Sequence, residues 1–403
     1  MVNTLKGPLD GVRVVEIASV VLGPYACQML GDMGADVIKI EPLKGDSNRN
    51  VGPYSKTSTM TSLYLGCNRN KRSVSLDLKS AEGLAAAFEI IKTADVMLHN
   101  FRPGTISRLG LGYQSVQAIN PEIVYCGAYG YSKRGPDGDK GALDDSIQAA
   151  SGIAMLQASI TGAPGFLPTV VADKATAMNV VQAVLAALFH KARSGEGQEI
   201  EVPMFESMVS FVMVEHLWGQ SFEPAIGKAG YVRLLTKHRK PYRTKDRCFI
   251  ALLPYWDQHW KTFCELAGHT DLATDARFID MHKRLENIED WYCIIEQIIA
   301  EKTQGEWVQL LDGTSVPMMI VKSLEDLITD PQLTESQFWH EAEHPTEGRL
   351  RMPNSPLNFS KTPTSIRQLP PHLGEHTAEV LSEVGMSQQS IKNMLANGTA
   401  KSQ

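Results

Sequence analysis

The strongest constraint on the fold is an alternation of short apolar runs and helical stretches through the first 130 residues. Val12–Ile17 (VRVVEI) is continuously apolar at its centre rather than strictly alternating, as in strands covered on both faces of a parallel sheet. Gly23–Met33 then reads as a helix and Ala35–Glu41 (ADVIKIE) as the next strand. Ser73–Leu78, a helix over Ala81–Lys92, and strands over Asp95–His99 and Glu122–Ala128 continue the series. Strand, helix and strand at this spacing predict an α/β fold with a parallel sheet and right-handed crossovers. A long helix is expected over Lys174–Arg193, stopped by Ser194-Gly195, then a strand over Gln198–Val202 and a helix through Met213 and Leu217. Residues 221–242, with Gly227, Gly230, two prolines and many charges, read as a linker, and a small domain follows to about residue 335. Trp256–Leu311 is mainly helical, and the tail beyond Met352 reads as Pro-rich coil with a short helix over Thr377–Val384.

Composition narrows the function. At 403 residues the chain is long enough for two domains. Its 39 Lys plus Arg against 45 Asp plus Glu give a net charge of −6, so nothing global points to nucleic acid or to an anionic membrane. No uninterrupted apolar run approaches ~20 residues, which argues against a membrane span. The N-terminal MVNTLKGPLDG has no apolar core of a secretory signal. The six cysteines lack metal or redox spacing and read as reduced core residues of a cytoplasmic protein.

Several familiar sites fail on their residues. Glu41 ends the second strand where a ribose-binding acid would sit, but the turn after the first strand, Ala18-Ser19-Val20-Val21-Leu22-Gly23-Pro24, lacks GxGxxG. Walker and GxSxG motifs are absent. His340-Glu341-Ala342-Glu343-His344 fits HExxH, but Pro345 follows at once and Phe338–His344 alternates like a strand, so two solvated histidines are expected and no metal. Two basic clusters flank predicted strands: Asn68–Arg72, with Lys79 beyond, and Asn100-Phe101-Arg102-Pro103-Gly104, with Arg108 behind. Together they suggest a polyanionic ligand such as a nucleotide, against the plainer reading of a solvated charged face. Asp173 precedes the long helix, where a helix cap is the ordinary role; the amides and dipole there would keep its carboxylate ionised, as a nucleophile requires.

Taken together, these segments resemble the family III CoA-transferases (CaiB/BaiF type), the group containing formyl-CoA and carnitine CoA-transferases. The resemblance rests on Pro8–Glu16, Gly31–Pro42, Asn70–Lys79, Asn100–Gly104, Val171-Ala172-Asp173 leading to Gly195–Gln198, and Leu373–Thr377 with Val380-Leu381. It implies a Rossmann-like large domain built from N- and C-terminal segments (1–220 with 336–403), a smaller α+β domain (221–335 including the linker) and an interlocked homodimer. It further implies that Asp173 attacks an acyl-CoA thioester, and that an aspartyl anhydride and an aspartyl-CoA thioester follow. Amides at the start of the long helix would supply part of an oxyanion site. Lys79, Asn100, Arg102 and Arg108 would bind coenzyme A, which is substrate rather than resident cofactor.

Two departures shape the substrate expectation. The glycine run of formyl-CoA transferase has only Gly227-Lys228-Ala229-Gly230 as its counterpart. The 2-methylacyl-CoA racemases of the superfamily need a His base where this chain has Leu143, which disfavours that alternative; a non-catalytic CoA-binding protein is the other. Succinyl-CoA as donor and a small dicarboxylate as acceptor are expected, with His238–Arg243 as a basic stretch able to meet a carboxylate.

Overall fold

The computed structural model describes residues 7–54, 56, 57 and 59–403. By internal contacts the chain divides into two compact units, the first formed by residues up to 151 with 167–211 and 332–403, the second by 152–166 and 212–331.

In the first unit, strands β1 (Arg13–Ile17), β2 (Asp36–Glu41), β3 (Lys71–Leu76), β4 (Val96–His99), β5 (Val124–Tyr129) and β6 (Gln198–Pro203) run parallel. Their order is 3-2-1-4-5-6, and Ala400–Lys401 adds an antiparallel edge beside β3. The order reverses between β1 and β4, which opens a crevice beyond their carboxyl ends, the usual ligand position in such sheets. Strands buried on both faces explain the unbroken apolar runs: Val15, Ile38, Val74, Met97 and Tyr125 join Ile90 and Ile91 of helix Ala81–Lys92 in one core.

The C-terminal segment is part of this core. Val380, Leu381, Ile391 and Met394 pack into it from the helices Thr377–Glu383 and Gln388–Ala396, the second of which the sequence reading leaves as coil. The Ser75 amide donates to Thr377 Oγ1 at 3.0 Å, and the Gly374 amide to Ser73 Oγ at 2.9 Å.

Helix Val171–Ser194 begins three residues before the predicted start and packs on helix Leu22–Asp32 and strands β5 and β6. By length and composition it could cross a membrane; Asn179 and Gln182 interrupt the apolar run that the sequence criterion looks for. It leads through a short turn into β6, so it runs antiparallel to the sheet and its first turn lies at the carboxyl edge.

The second unit has a three-stranded antiparallel sheet (Tyr242–Arg243, Phe249–Leu252, Met318–Ile320) covered by helices that include Asp257–Ala267, Ile288–Ile299 and Gln304–Leu311. Trp260, Trp291, Trp307, Phe263 and Phe278 fill its core.

Candidate active site

The carboxyl edge is built on a buried lattice of charges. Lys39 and Lys71 both meet Glu16, at 2.6 and 2.7 Å, with all three side chains fully buried, and Lys39 also lies 3.0 Å from Asp46. Glu41 accepts from Arg49 twice at 2.8 Å, and from Ser73 Oγ and the Asp46 amide. Burial would raise the Glu41 carboxyl, but the hydrogen bonds and charge of Arg49, with Lys39, outweigh it and hold the group down at about 2. Glu41 is therefore an internal counter-ion.

This lattice fixes the loop after β1. Asp46 accepts from the Val20 amide at 3.1 Å while Asn48 Nδ2 donates to the Val20 carbonyl at 2.5 Å, holding Val20 at φ +69°, a left-handed conformation that a β-branched residue rarely adopts. Asn100, after β4, accepts from the Ser19 amide at 3.1 Å and donates to the Ser19 carbonyl at 2.7 Å. The side-chain amide of Asn100 thus ties the two strand ends across the point where the order reverses.

A cavity of about 500 Å3 opens at this edge, walled by Ala18, Ser19, Pro42–Ser47, Leu76–Lys79, Phe101 and Leu109. Lys79 and Lys44 both line it and are both exposed. Lys44 was not singled out in the sequence; the signal was its place one turn beyond β2, before Gly45 at φ +78°. Arg102 and Arg108 are exposed on the neighbouring segment, donating to the Asp139 carbonyl and to Thr105 Oγ1, each at 3.2 Å, and do not line the cavity. The other basic cluster is spent internally. Arg69 pairs with Asp32, Lys71 with Glu16, and Arg72 with Asp36 and Glu383; Arg69 precedes β3 and Lys71 and Arg72 open it, so all three start from its amino end, and Lys71 reaches the lattice from there.

Asp173 lies in the first turn of helix Val171–Ser194 and is 8% exposed. It does not cap the helix: the N-cap is Val170, and Asp173 is the third helical residue. Its backbone N–H donates to Asp144 Oδ1 at 3.0 Å. Gln148 Nε2 donates to Asp144 Oδ2 at 2.6 Å, and the Leu167 amide to Gln148 Oε1 at 2.9 Å. A hydrogen-bonded chain thus runs from the approach loop through helix Asp144–Ala150 to the backbone of Asp173. Burial, reinforced by the Asp144 carboxylate, pushes the Asp173 carboxyl up to about 7, so the expectation of a carboxylate held ionised by the helix end is corrected. The amides expected to stabilise an oxyanion are largely taken as well. Val171 donates to the Thr169 carbonyl, Asp173 to Asp144 and Lys174 to the Val170 carbonyl. Asp144 and Gln148 escaped the sequence reading, although two acids opening a helix beside Leu143 were visible. Leu143 itself is 69% exposed.

Three other expectations change. His340–His344 is a strand, Trp339–His344, paired with Gly348–Pro353, but His344 is buried, not solvated. Its Nε2 bonds the Pro370 carbonyl at 3.0 Å and its Nδ1 faces the amides of Thr346 and Glu347, while His372 bonds Thr346 Oγ1 at 2.8 Å. His344, Glu347 and His372 converge, yet both nitrogens of the His344 ring and both Glu347 oxygens are already engaged in hydrogen bonds. Cys248 is exposed and Cys293 half-buried, so not every cysteine is a core residue. The His238–Arg243 stretch is partly neutralised: His238 faces Glu289 at 3.4 Å and Lys240 pairs with Glu296 at 2.8 Å.

A doubly wound sheet whose switch-point cavity carries lysines, with an aspartate buried at the same edge, has the charges that suit a polyanionic ligand and carboxylate chemistry. The chain belongs to CoA-transferase family III, whose family model matches residues 9–377. It is a CoA-transferase, and its relatives act on CoA thioesters. It is 31% identical over 387 residues to the human succinyl-CoA:glutarate CoA-transferase, covering 95% of this chain and 87% of that one. To the succinate–glutarate CoA-transferase of Agrobacterium fabrum it is 32% identical, covering 94% and 96%. The crystal structure of Rv3272 from M. tuberculosis superposes with a TM-score of 0.82 at 29% identity, covering 93% of this chain and 99% of that one.

Proposed function

We propose that this chain moves coenzyme A from succinyl-CoA to a small dicarboxylic acid, with Asp173 as the nucleophile. The ionised Asp173 carboxylate attacks the thioester carbonyl and expels CoA thiolate, leaving a mixed anhydride. The thiolate attacks the aspartyl carbonyl, releasing succinate and forming an aspartyl-CoA thioester. The acceptor carboxylate then attacks that thioester, expelling the thiolate again. Attack of the thiolate on the acceptor's acyl carbonyl makes the new acyl-CoA and restores Asp173. Every step exchanges acyl derivatives of similar energy, so the chain needs to supply positioning and a carboxylate of suitable basicity.

The observation that carries this reading is the burial of Asp173 in the first turn of its helix, with its backbone fixed by Asp144. A carboxyl raised to about 7 is a stronger nucleophile, once ionised, than an ordinary carboxylate. In this reading the coenzyme occupies the cavity at the β1–β4 switch point. Lys79, and Arg102 and Arg108 beside it, meet its phosphates, and Asn100 shapes the wall from behind. In this reading the working form is an interlocked cytoplasmic homodimer.

The test is acyl exchange. Purified protein, succinyl-CoA and a panel of carboxylic acids in D2O are followed by mass spectrometry of the CoA esters. New acyl-CoA species made by the wild type and lost at least ~1000-fold in Asp173→Ala support the reading. Deuterium entering the acyl α-carbon without acid exchange would favour a racemase instead.

A further inference from the structure

Two loops that line the switch-point cavity, Ala18-Ser19 after β1 and Pro42–Ser47 after β2, meet at a strained residue. The Val20 N–H donates to Asp46 Oδ1 at 3.1 Å, and the Val20 carbonyl accepts from Asn48 Nδ2 at 2.5 Å. Beyond Val20 the chain enters helix Leu22–Asp32, which packs on Val171–Ser194, the helix of Asp173. Val20 is thus the joint between the cavity wall and the frame that carries the nucleophile.

At φ +69° the branched Val20 side chain crowds its own backbone. Such a conformation persists only where the surroundings over-determine it, and strain of this kind gathers at functional sites. Here the surroundings are a clamp rooted in the buried charges. Asp46 and Asn48 are each 2% exposed. Asp46 Oδ1 also accepts from the Asn48 amide at 3.0 Å, its Oδ2 lies 3.0 Å from the Lys39 ammonium, and its own amide donates to Glu41 at 2.9 Å. Thr61 Oγ1 donates to the Asn48 carbonyl at 2.5 Å. On the other side of the joint Asn100 brackets both the N–H and the carbonyl of Ser19. We propose that Asn48, with Asp46, is a positioning residue for the coenzyme: it holds Val20 in the left-handed conformation and so keeps the Ala18-Ser19 wall in the shape that binds coenzyme A. Asn48 is not among the residues lining the cavity, so it acts through Val20. The inference rests on the reading of this cavity as the coenzyme site.

The experiment is calorimetric titration of the full-length chain with coenzyme A, for wild type, Asn48→Ala, Val20→Gly and the double variant, with urea midpoints alongside. Asn48→Ala is expected to weaken coenzyme A at least tenfold. On the Val20→Gly background the same change should weaken it no more than threefold, because glycine takes a positive φ without a clamp. If Asn48→Ala does not fold, Asn48→Ser carries the same comparison. A lower urea midpoint with coenzyme affinity unaltered would overturn the proposal, by making Asn48 a structural residue alone. Equal losses on the two backgrounds would overturn it as well, since Asn48 would then act other than through Val20. A wild type that binds no coenzyme A would sink the reading of the cavity and this inference with it. A wild type that binds, with variants that bind equally well, would sink the inference alone.

Discussion

At the scale of single residues the chemistry turns on the protonation of Asp173. Its carboxyl is raised from 3.8 to about 7, first by burial and second by Asp144, so a good part of the ligand-free protein holds it protonated at neutral pH. The nucleophile is the ionised form, and its fraction grows as pH rises through 7. The rate of acyl exchange per enzyme, at low acyl-CoA, is therefore expected to climb between pH 6 and pH 8 and then level off. Asp144→Asn removes one negative neighbour but keeps an oxygen for the Asp173 amide, so it should lower the Asp173 pKa and move the rise to lower pH. A pH–rate profile that stays in place in this variant would contradict the role given to Asp144. The sequence made Asp173 visible through its position before a long apolar helix. It could not show the protonation balance, because Asp144 lies 29 residues away and meets Asp173 only when helix Asp144–Ala150 packs on helix Val171–Ser194.

At the scale of elements the decisive feature is the pairing of strand residues that a linear reading treats separately. Glu16 on β1 neutralises Lys39 on β2 and Lys71 on β3, all with fully buried side chains. Glu16→Gln would leave the buried Lys71 ammonium without a carboxylate and Lys39 with Asp46 alone, and should cost ~3–5 kcal/mol, read as a lower urea midpoint with an unchanged m-value. A shift under ~1 kcal/mol would mean that water reaches this lattice. The parallel strands were legible because burial on both faces leaves unbroken apolar runs, as in Val14-Val15 and Val37-Ile38. The Arg69, Lys71 and Arg72 cluster misled because charge alone does not tell which end of a strand a residue occupies. Asp32 ends helix Leu22–Asp32 and Asp36 opens β2, and the register of β2 on β3 brings Asp36 to Arg72. The edge strand Ala400–Lys401 is too short to carry a pattern and exists because β3 offers it a free edge.

At the scale of the whole molecule, large apolar side chains remain exposed on the helices Val171–Ser194 and Met204–His216, including Phe189, Phe211 and, at 82%, Val214. Faces of this kind accord with the proposed homodimer. Sedimentation at micromolar concentration should give twice the 44.3 kDa chain mass, and Val214→Glu should shift the population toward monomer. A wild type that sediments as a monomer at every concentration would remove the dimer from the account. The proposed reaction passes through a covalent adduct, and the intact protein reports on it directly. Mass spectrometry of the chain after brief incubation with succinyl-CoA, without acceptor, is predicted to show a fraction heavier by coenzyme A less one water, mapped by peptide digestion to Asp173 and absent from Asp173→Asn. Rapid transfer to an acceptor acid with the same adduct on another residue, or undiminished transfer by Asp173→Asn, would contradict it.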